Sequence, residues 1–304
     1  MDIKKIWLKI FNKNKYIKFK EEELKIKNKN LYEKKIKKEL DKISFALKEK
    51  NEISFLHSGH LGDIINSLPL IKEVAKNKKC KLFIEANKPL PYHLQDPSPH
   101  FGKYYLTEFS IKKMMPLLSK QTYIEKVDIF NNQNIDVNLN LFREMAINFN
   151  IDSVRWYFHI TGIHAELDIP YLTNVGFHEI KEKIVIIRTK RRRNYLINYN
   201  FLKNYNNVLF LGLRDEYNEL KKEIPNLEFF ECRDFLEMAQ IINSSKVFIG
   251  NLSFGFTLAE GLKKTKVDFV LLLIWHFKGY VINKIKKYNK NIKIIIPFPK
   301  IKII

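Results

Sequence analysis

The run Phe-Leu-His-Ser-Gly-His-Leu-Gly-Asp-Ile-Ile-Asn-Ser-Leu-Pro-Leu at residues 55–70 constrains this chain more than any other stretch. Residues 53–56 form a short apolar run suited to a buried strand, followed by a loop carrying Gly59, Gly62 and Asp63. Ile64, Ile65, Leu68 and Ile71 then recur at helical spacing. Strand, glycine loop and helix in that order make the first β-loop-α unit of a nucleotide-handling α/β domain. Glycine lets the backbone approach a ligand closely, and the free N–H groups of a helix start favour an anion. What sets this loop apart from a common turn is the acid directly after the second glycine. A carboxylate there is stabilised as an anion and can accept a proton from a substrate hydroxyl. It can also simply cap a helix beginning at Ile64; the two glycines and Pro69 favour the chemical role.

The alternation continues. In the first half, residues 81–86 read as a second strand after a helix over 64–76, and 114–119 and 135–140 as further elements. Residues 87–101, with Pro89, Pro91, Pro97, Pro99 and two histidines, read as an irregular loop of the kind that carries substrate contacts. A second series begins at Ile184, where 184–187, 208–211, 227–230 and 247–249 are short apolar runs suited to buried parallel strands. Helical stretches lie between them at 216–223 and 234–243, the latter opened by Asp234 with Glu237 three residues on, a capping-box arrangement. Residues 267–273 read as another central strand, and the Lys/Ile-rich 274–304 matches no pattern.

A chain of 304 residues fits two domains of ordinary size. Its 45% hydrophobic content, with 23 Phe and 14 Tyr, supplies two cores and excludes global disorder. The predicted architecture is α/β, with two facing Rossmann-like domains and a basic helical N-terminal extension. The extension covers 1–50 and the domains 51–175 and 176–304, joined through 162–183, which contains Pro170 and Gly176. Cys80 and Cys232 lie far apart without metal-ligand spacing and read as buried thiols in a reducing compartment.

The formal net charge of +21 asks for a partner. Part of it reflects a Lys-, Asn- and Ile-rich composition throughout, yet the first fifty residues are especially Lys-rich. Anionic lipid, a diphosphate or nucleic acid would each match the sign. No basic-aromatic RNA module, zinc finger or basic zipper is present, so nucleic acid is not expected. Ile3, Ile6, Trp7, Ile10 and Phe11 share one helical face, with Lys5 and Lys9 opposite. That composition suits a helix lying on an anionic leaflet, or one docking on the protein's own surface. Residues 18–30 read as a solvated linker, and a second amphipathic helix over 31–49 carries Tyr32, Ile36, Leu40, Ile43 and Leu47 on one stripe. No apolar stretch reaches transmembrane length, and Lys interrupts every apolar run near the start. A cytoplasmic location, peripheral at the inner membrane face, is expected.

The segment Gly62-Asp63-Ile64-Ile65, with Leu68 and Pro69, resembles the G-D-hydrophobic-hydrophobic…L-P signature of the heptosyltransferase-like glycosyltransferases, glycosyltransferase family 9, of GT-B type. A second stretch, Phe248-Ile-Gly-Asn-Leu-Ser-Phe-Gly-Phe-Thr-Leu-Ala-Glu-Gly-Leu262, is similar to the family's donor motif, a strand followed by G-N-D-S-G-x-x-H-L-A. Leu252, Phe254 and Thr257 stand where the family has Asp, Gly and His. The resemblance spans about residues 52–265 and implies that Asp63 is the general base of an inverting sugar transfer. It matches Glu216, after the strand at 208–211, to an acid that holds the donor ribose; first-turn acids favoured by the helix dipole are the alternative.

Other residues are assigned from chemistry. Arg188 ends the strand at 184–187, and with Lys190, Arg191, Arg192 and Arg193 makes a cluster suited to diphosphate, most of it read as a solvated turn. Gly250, Asn251 and Ser253, with Thr257 and Glu260 in the following helix, would cradle donor phosphates through backbone N–H groups and hydroxyls. His57 and His60, beside Gly59 and Gly62, would meet an acceptor phosphate or merely be solvated. No Asp-x-Asp lies near a strand end, so no metal or cofactor is expected, the nucleotide sugar being substrate. The expected function is metal-independent, inverting transfer of a sugar from a nucleotide-diphosphate donor to a surface glycan or lipid-linked acceptor. An inactive homologue that binds a glycan or nucleotide sugar, and a nucleotide-sugar epimerase, are the rival readings.

Overall fold

The computed structural model describes residues 3–91, 102–145, 147, 152–263, 269–271, 286, 293–296 and 302–303. The chain opens with helices α1 (Ile3–Phe11) and α2 (Lys13–Leu31), a π-helical turn (Tyr32–Ile36) and α3 (Lys37–Glu49). The expected solvated linker at 18–30 is therefore helix. Asn12 caps α2 by accepting the Lys15 N–H at 3.0 Å, and Lys and Glu, good helix formers, fill it without Gly or Pro. No residue of α2 is buried. The 31–49 stripe does enter the core through Ile36 and Ile43, whereas Tyr32 stays exposed.

A first parallel sheet has the order β3-β2-β1-β4, from β1 (Glu52–His57), β2 (Lys79–Ile84), β3 (Lys126–Ile129) and β4 (Val137–Asn138). Ile53, Phe55 and His57 alternate inward along β1, whose His57 stands opposite Ile84 of β2. Helix α4 (Leu61–Val74) leaves β1 three residues earlier than the apolar pattern predicts, so Asp63 sits in its first turn rather than before it. Helix α5 (Glu108–Ser119) also starts early, because the Thr107 hydroxyl accepts the Ser110 N–H at 3.2 Å. After β4 the chain makes a 3-10 turn (Leu139–Arg143) and then α6 (Val154–Thr161). Most of the proline-rich loop, 92–101, lies outside the described residues.

Residues 162–183 contain neither helix nor strand. A second parallel sheet follows with the order β7-β6-β5-β8, from β5 (Ile184–Ile187), β6 (Val208–Leu211), β7 (Glu228–Phe230) and β8 (Val247–Gly250). Its helices are α7 (Arg214–Lys221), α8 (Phe235–Ser244) and α9 (Phe254–Leu262). Asp234 caps α8 as expected, accepting the Glu237 N–H at 2.9 Å; Glu237 answers not to Asp234 but to the Arg233 N–H, at 2.6 Å. Within 267–273 the described residues form a strand, β9 (Phe269–Leu271), but at the edge of another sheet and not centrally as expected. It pairs with β10 (Lys293–Ile296), itself beside β11 (Lys302–Ile303), in a separate three-stranded sheet.

Strands β5 and β6 are buried on both faces, as parallel strands between helix layers must be. Ile184, Ile186, Val208 and Phe210 point into a small cluster with Leu220 and Leu227. Val185, Ile187, Leu209 and Leu211 point the other way, into an apolar cluster continuous with Ile53, Phe55, Ile65 and Leu82 of the first sheet. Helices α4 and α5 pack directly on α9 and α8 within it. The segment between the sheets is tied in as well, for the Tyr171 and Leu172 N–H groups both donate to the Gly261 carbonyl, at 3.0 and 2.9 Å.

Candidate active site

Asp63 occupies the third position of α4, its side chain 24% exposed. Its Oδ2 accepts from the His60 N–H at 3.2 Å and from Arg143 Nη2 at 3.0 Å. Its Oδ1 has no hydrogen-bond partner among the described residues. Arg143 reaches Asp63 from the end of the 3-10 turn after β4 and also donates Nη1 to Asn140 Oδ1 at 3.0 Å. Asn140 Oδ1 in turn takes the Ser58 N–H at 2.9 Å, which fixes the β1 loop to that turn. The guanidinium lies over Phe142 and Tyr105, 4.3 and 5.0 Å from the ring centres. Its plane and reach are thus held by stacking and by the amide together. Sequence reasoning missed Arg143, an isolated cation 80 residues from its partner.

His57 is not where a ligand could meet it. It is fully buried, its Nδ1 accepts the Gly59 N–H at 2.9 Å, and its Nε2 lies 2.9 Å from the Tyr157 hydroxyl. With Nδ1 an acceptor, Nε2 carries the proton and donates to Tyr157, whose own O–H donates to the Asp63 carbonyl at 2.8 Å. Burial foremost, then the Arg143 charge, holds His57 well below the usual imidazole range, so it stays neutral. The expected contact between His57 and an acceptor is corrected accordingly: this residue positions the Asp63 turn. Tyr157, which completes the chain, also went unread in the sequence.

His60 is half-buried in the same turn, its Nδ1 3.2 Å from the Tyr105 carbonyl. Burial lowers its pKa, Asp63 opposes that, and the charge of Arg191 from the second sheet lowers it further. Gly59 has no room for a side chain. A Cβ there would stand 2.6 Å from Arg143 Nη2 and 2.8 Å from Asp63 Oδ2. Gly62 marks the meeting of the two halves, since a Cβ on it would stand 3.2 Å from Thr257 Oγ1 of α9.

On that second side Arg188 ends β5 and is almost wholly buried. Its Nη2 reaches the Glu216 carbonyl at 3.4 Å and Glu219 at 3.6 Å, while Nε and Nη1 have no hydrogen-bond partner among the described residues. Glu216 is buried beneath the turn, its Oε1 accepting the Lys190 N–H at 2.8 Å, rather than open to a ribose. Lys190, Arg191 and Arg192 are exposed, as a solvated turn requires, and Arg193 pairs with Glu219 and Glu223. Asn251 cross-links two loops: its Oδ1 takes the Thr189 N–H at 3.0 Å and its Nδ2 donates to the Thr189 carbonyl at 2.7 Å. Its amide therefore shapes the β8 loop instead of facing outward.

Ser253 precedes α9 with a buried, unpartnered hydroxyl, and Thr257 donates to the Ser253 carbonyl at 3.1 Å. Glu260 is exposed and pairs with Lys263 at 3.0 Å. Gly250 closes β8 with its α-carbon against the Phe248 ring. A cavity of about 310 Å³ lies beside this helix, lined by Asn66, Ser153, Tyr171, Leu252, Phe256 and Thr257 among others. Among the described residues no three His, Cys, Asp or Glu side chains cluster as metal ligands. Both cysteine thiols are pushed up to about 12, chiefly by burial, which makes them poor nucleophiles.

No family model matches the chain, and no curated protein does. Among solved structures it is similar to a glycosyl transferase family 9 protein from Veillonella parvula DSM 2008. The identity is 10% and the TM-score 0.48, over 81% of this chain and 91% of that one. It is also similar to the E. coli heptosyltransferase WaaC solved with ADP, at 8% identity and a TM-score of 0.45, over 72% of this chain and 86% of that one. The same enzyme solved with ADP-2-deoxy-2-fluoro heptose gives 8% and 0.41, over 72% and 88%. These are likenesses of fold at low identity.

Proposed function

We propose that the protein is a glycosyltransferase that moves a sugar from a nucleotide-diphosphate donor to a hydroxyl of a glycan or lipid-linked acceptor. The observation that carries this reading is Asp63, held through one oxygen by Arg143 and a backbone N–H, with its other oxygen unpartnered among the described residues. It stands in a helix start that abuts the start of α9 at Gly62 and Thr257. In the proposed reaction Oδ1 takes the proton of the acceptor hydroxyl as that oxygen bonds to the anomeric carbon. The bond from that carbon to the donor phosphate breaks on the opposite face, and the nucleoside diphosphate leaves. The N–H groups at the start of α9 offer donors to its phosphates, and Arg188, buried at the end of β5 with Nε and Nη1 unpartnered among the described residues, supplies positive charge from below.

A panel of nucleotide sugars incubated with the protein, scored for nucleoside diphosphate release, tests the reading. Release of nucleoside diphosphate with one donor, lost in Asp63→Asn, is the expected result. A nucleoside diphosphate should also raise the melting temperature without added metal, and Arg188→Met should diminish that rise. Release that persists unchanged in Asp63→Asn would remove the carboxylate from the mechanism. A second reading, a binding protein without turnover, is favoured by Leu252, an apolar side chain 64% exposed beside the donor loop. It predicts stabilisation by a nucleotide sugar with neither transfer nor hydrolysis.

A further inference from the structure

The apolar stripe of α1 is turned outward. Trp7, Ile10 and Phe11 are 56%, 67% and 69% exposed, whereas among the described side chains of α1 the buried one is Leu8, off that stripe. Helix α1 packs on α2, and Lys5 pairs with Glu23 at 2.9 Å, so the side facing the protein is already occupied. Docking of the stripe on the protein's own surface, the alternative for this segment, is therefore not what the fold uses. Trp7 and Phe11 lie side by side with ring centres 5.8 Å apart, forming one exposed aromatic pair.

Charge identifies what would cover that pair. Residues 1–50 hold seventeen Lys against eight Asp and Glu. Lys9 of α1 and Lys13, Lys15 and Lys18 in the first turns of α2, on which α1 packs, are all exposed. Exposed aromatic and branched apolar side chains flanked by lysines combine the two attractions of an anionic bilayer surface, burial of apolar area and attraction to headgroups. No helix among the described residues is long and apolar enough to cross a membrane, so the contact would be interfacial. We propose that the outward face of α1 is a docking surface for an anionic lipid bilayer, with Trp7, Ile10 and Phe11 inserted among the headgroups.

The last part of the extension is joined to the candidate active site: Ile36, Ile43 and Ala46 belong to the shared core, α3 packs on α6, and Lys35 pairs with Glu144, next to Arg143, at 2.5 Å. Docking of α1, which packs on α2, would then tether the Asp63 turn near the lipid surface, where a lipid-linked acceptor would be presented. That last consequence rests on the proposed function; the docking itself does not.

The full chain should sediment with vesicles containing phosphatidylserine or phosphatidylglycerol. It should bind neutral phosphatidylcholine vesicles at least about tenfold less, because the Lys attraction is lost. Added salt should weaken binding without abolishing it, since apolar burial is not screened. Trp7 fluorescence should shift to the blue and be quenched by lipids brominated near the headgroup, with Trp7→Phe identifying its share. The pair Trp7→Asp and Phe11→Asp, both on an exposed face, should fold normally and lose about tenfold or more in partitioning. Absence of wild-type binding, or unchanged binding by the double variant, overturns the proposal. So does a concentration-dependent dimer that the double variant abolishes while vesicle binding is absent, since the face would then meet a second copy. Nucleotide-sugar turnover is measured separately, so failure of either reading leaves the other standing.

Discussion

Arg143 Nη2 lies 3.0 Å from Asp63 Oδ2, joining two residues 80 apart in sequence, and it leaves the other carboxylate oxygen without a hydrogen-bond partner among the described residues. The pair fixes which oxygen of Asp63 is presented and at what angle. Asp63→Asn should preserve the fold and donor binding while lowering transfer by about 10²-fold or more. Arg143→Met keeps the stacking bulk but drops the fork, and should lower turnover by about tenfold or more with little effect on donor affinity. Steady-state kinetics decide it, and a change confined to donor KM would contradict the assignment.

Gly59 should be intolerant in an informative way. In Gly59→Ala the new Cβ would press on Arg143 Nη2, His57 Cε1 and Asp63 Oδ2, each under 3 Å from its position. The guanidinium end can move but the buried His57 ring is held at both nitrogens, so stability should fall by about 1–3 kcal/mol while transfer falls much further. Parallel urea melts and rate measurements would show whether activity and stability part in this way.

Tyr157→Phe removes one hydroxyl that serves two partners, the His57 Nε2 proton and the Asp63 carbonyl. Both groups are left unpaired in a buried place, so a loss of about 1–3 kcal/mol is expected. Chemical denaturation of the variant gives the figure directly; a change near zero would mean that water replaces the hydroxyl.

Stability should depend on His57 in acid. Its folded-state pKa is depressed well below 6.5 by burial, whereas the unfolded chain titrates near that value. Protons therefore bind the unfolded state preferentially below pH 6.5, and the folded state loses stability as pH falls from there toward the depressed value. Above 6.5 this group contributes no slope. Urea midpoints across that window should fall in the parent and fall less in His57→Gln.

The β1–α4 unit was legible because its signals are local: period-two apolar residues, glycines, then helical spacing. The same alternation places His57 inward with Ile53 and Phe55, and applying it one residue past the expected strand end would have found its role. Arg143 and Tyr157 could not be read so, because each acts through a partner distant in sequence and a lone Arg or Tyr has no local signature. The Asn138-x-Asn140 pair that opens the 3-10 turn ending at Arg143 was the available clue. Helix α2 was misread for the opposite reason. Its apolar residues, Tyr16, Ile17, Phe19, Leu24, Ile26 and Leu31, are spread over a wide arc among lysines, so no narrow apolar stripe stands out, and only propensity and its Asn12 cap disclose it. At Glu216 and Asn251 the residue positions were sound landmarks, but burial shows carboxylate and amide committed to neighbouring backbone.

The apolar cluster that runs from β1 through α4 and α9 to β5 has a consequence for how variants of this chain should be interpreted. Because neither sheet owns a separate core on that side, the two halves should melt together in a single calorimetric transition. A lesion at Gly261, whose α-carbon is pressed by Leu172 and Tyr171, would then unfold the Asp63 turn along with its own surroundings. Activity lost in such a variant would measure the fraction of chains still folded, and rates must be divided by that fraction before any residue of α8 or α9 is credited with chemistry.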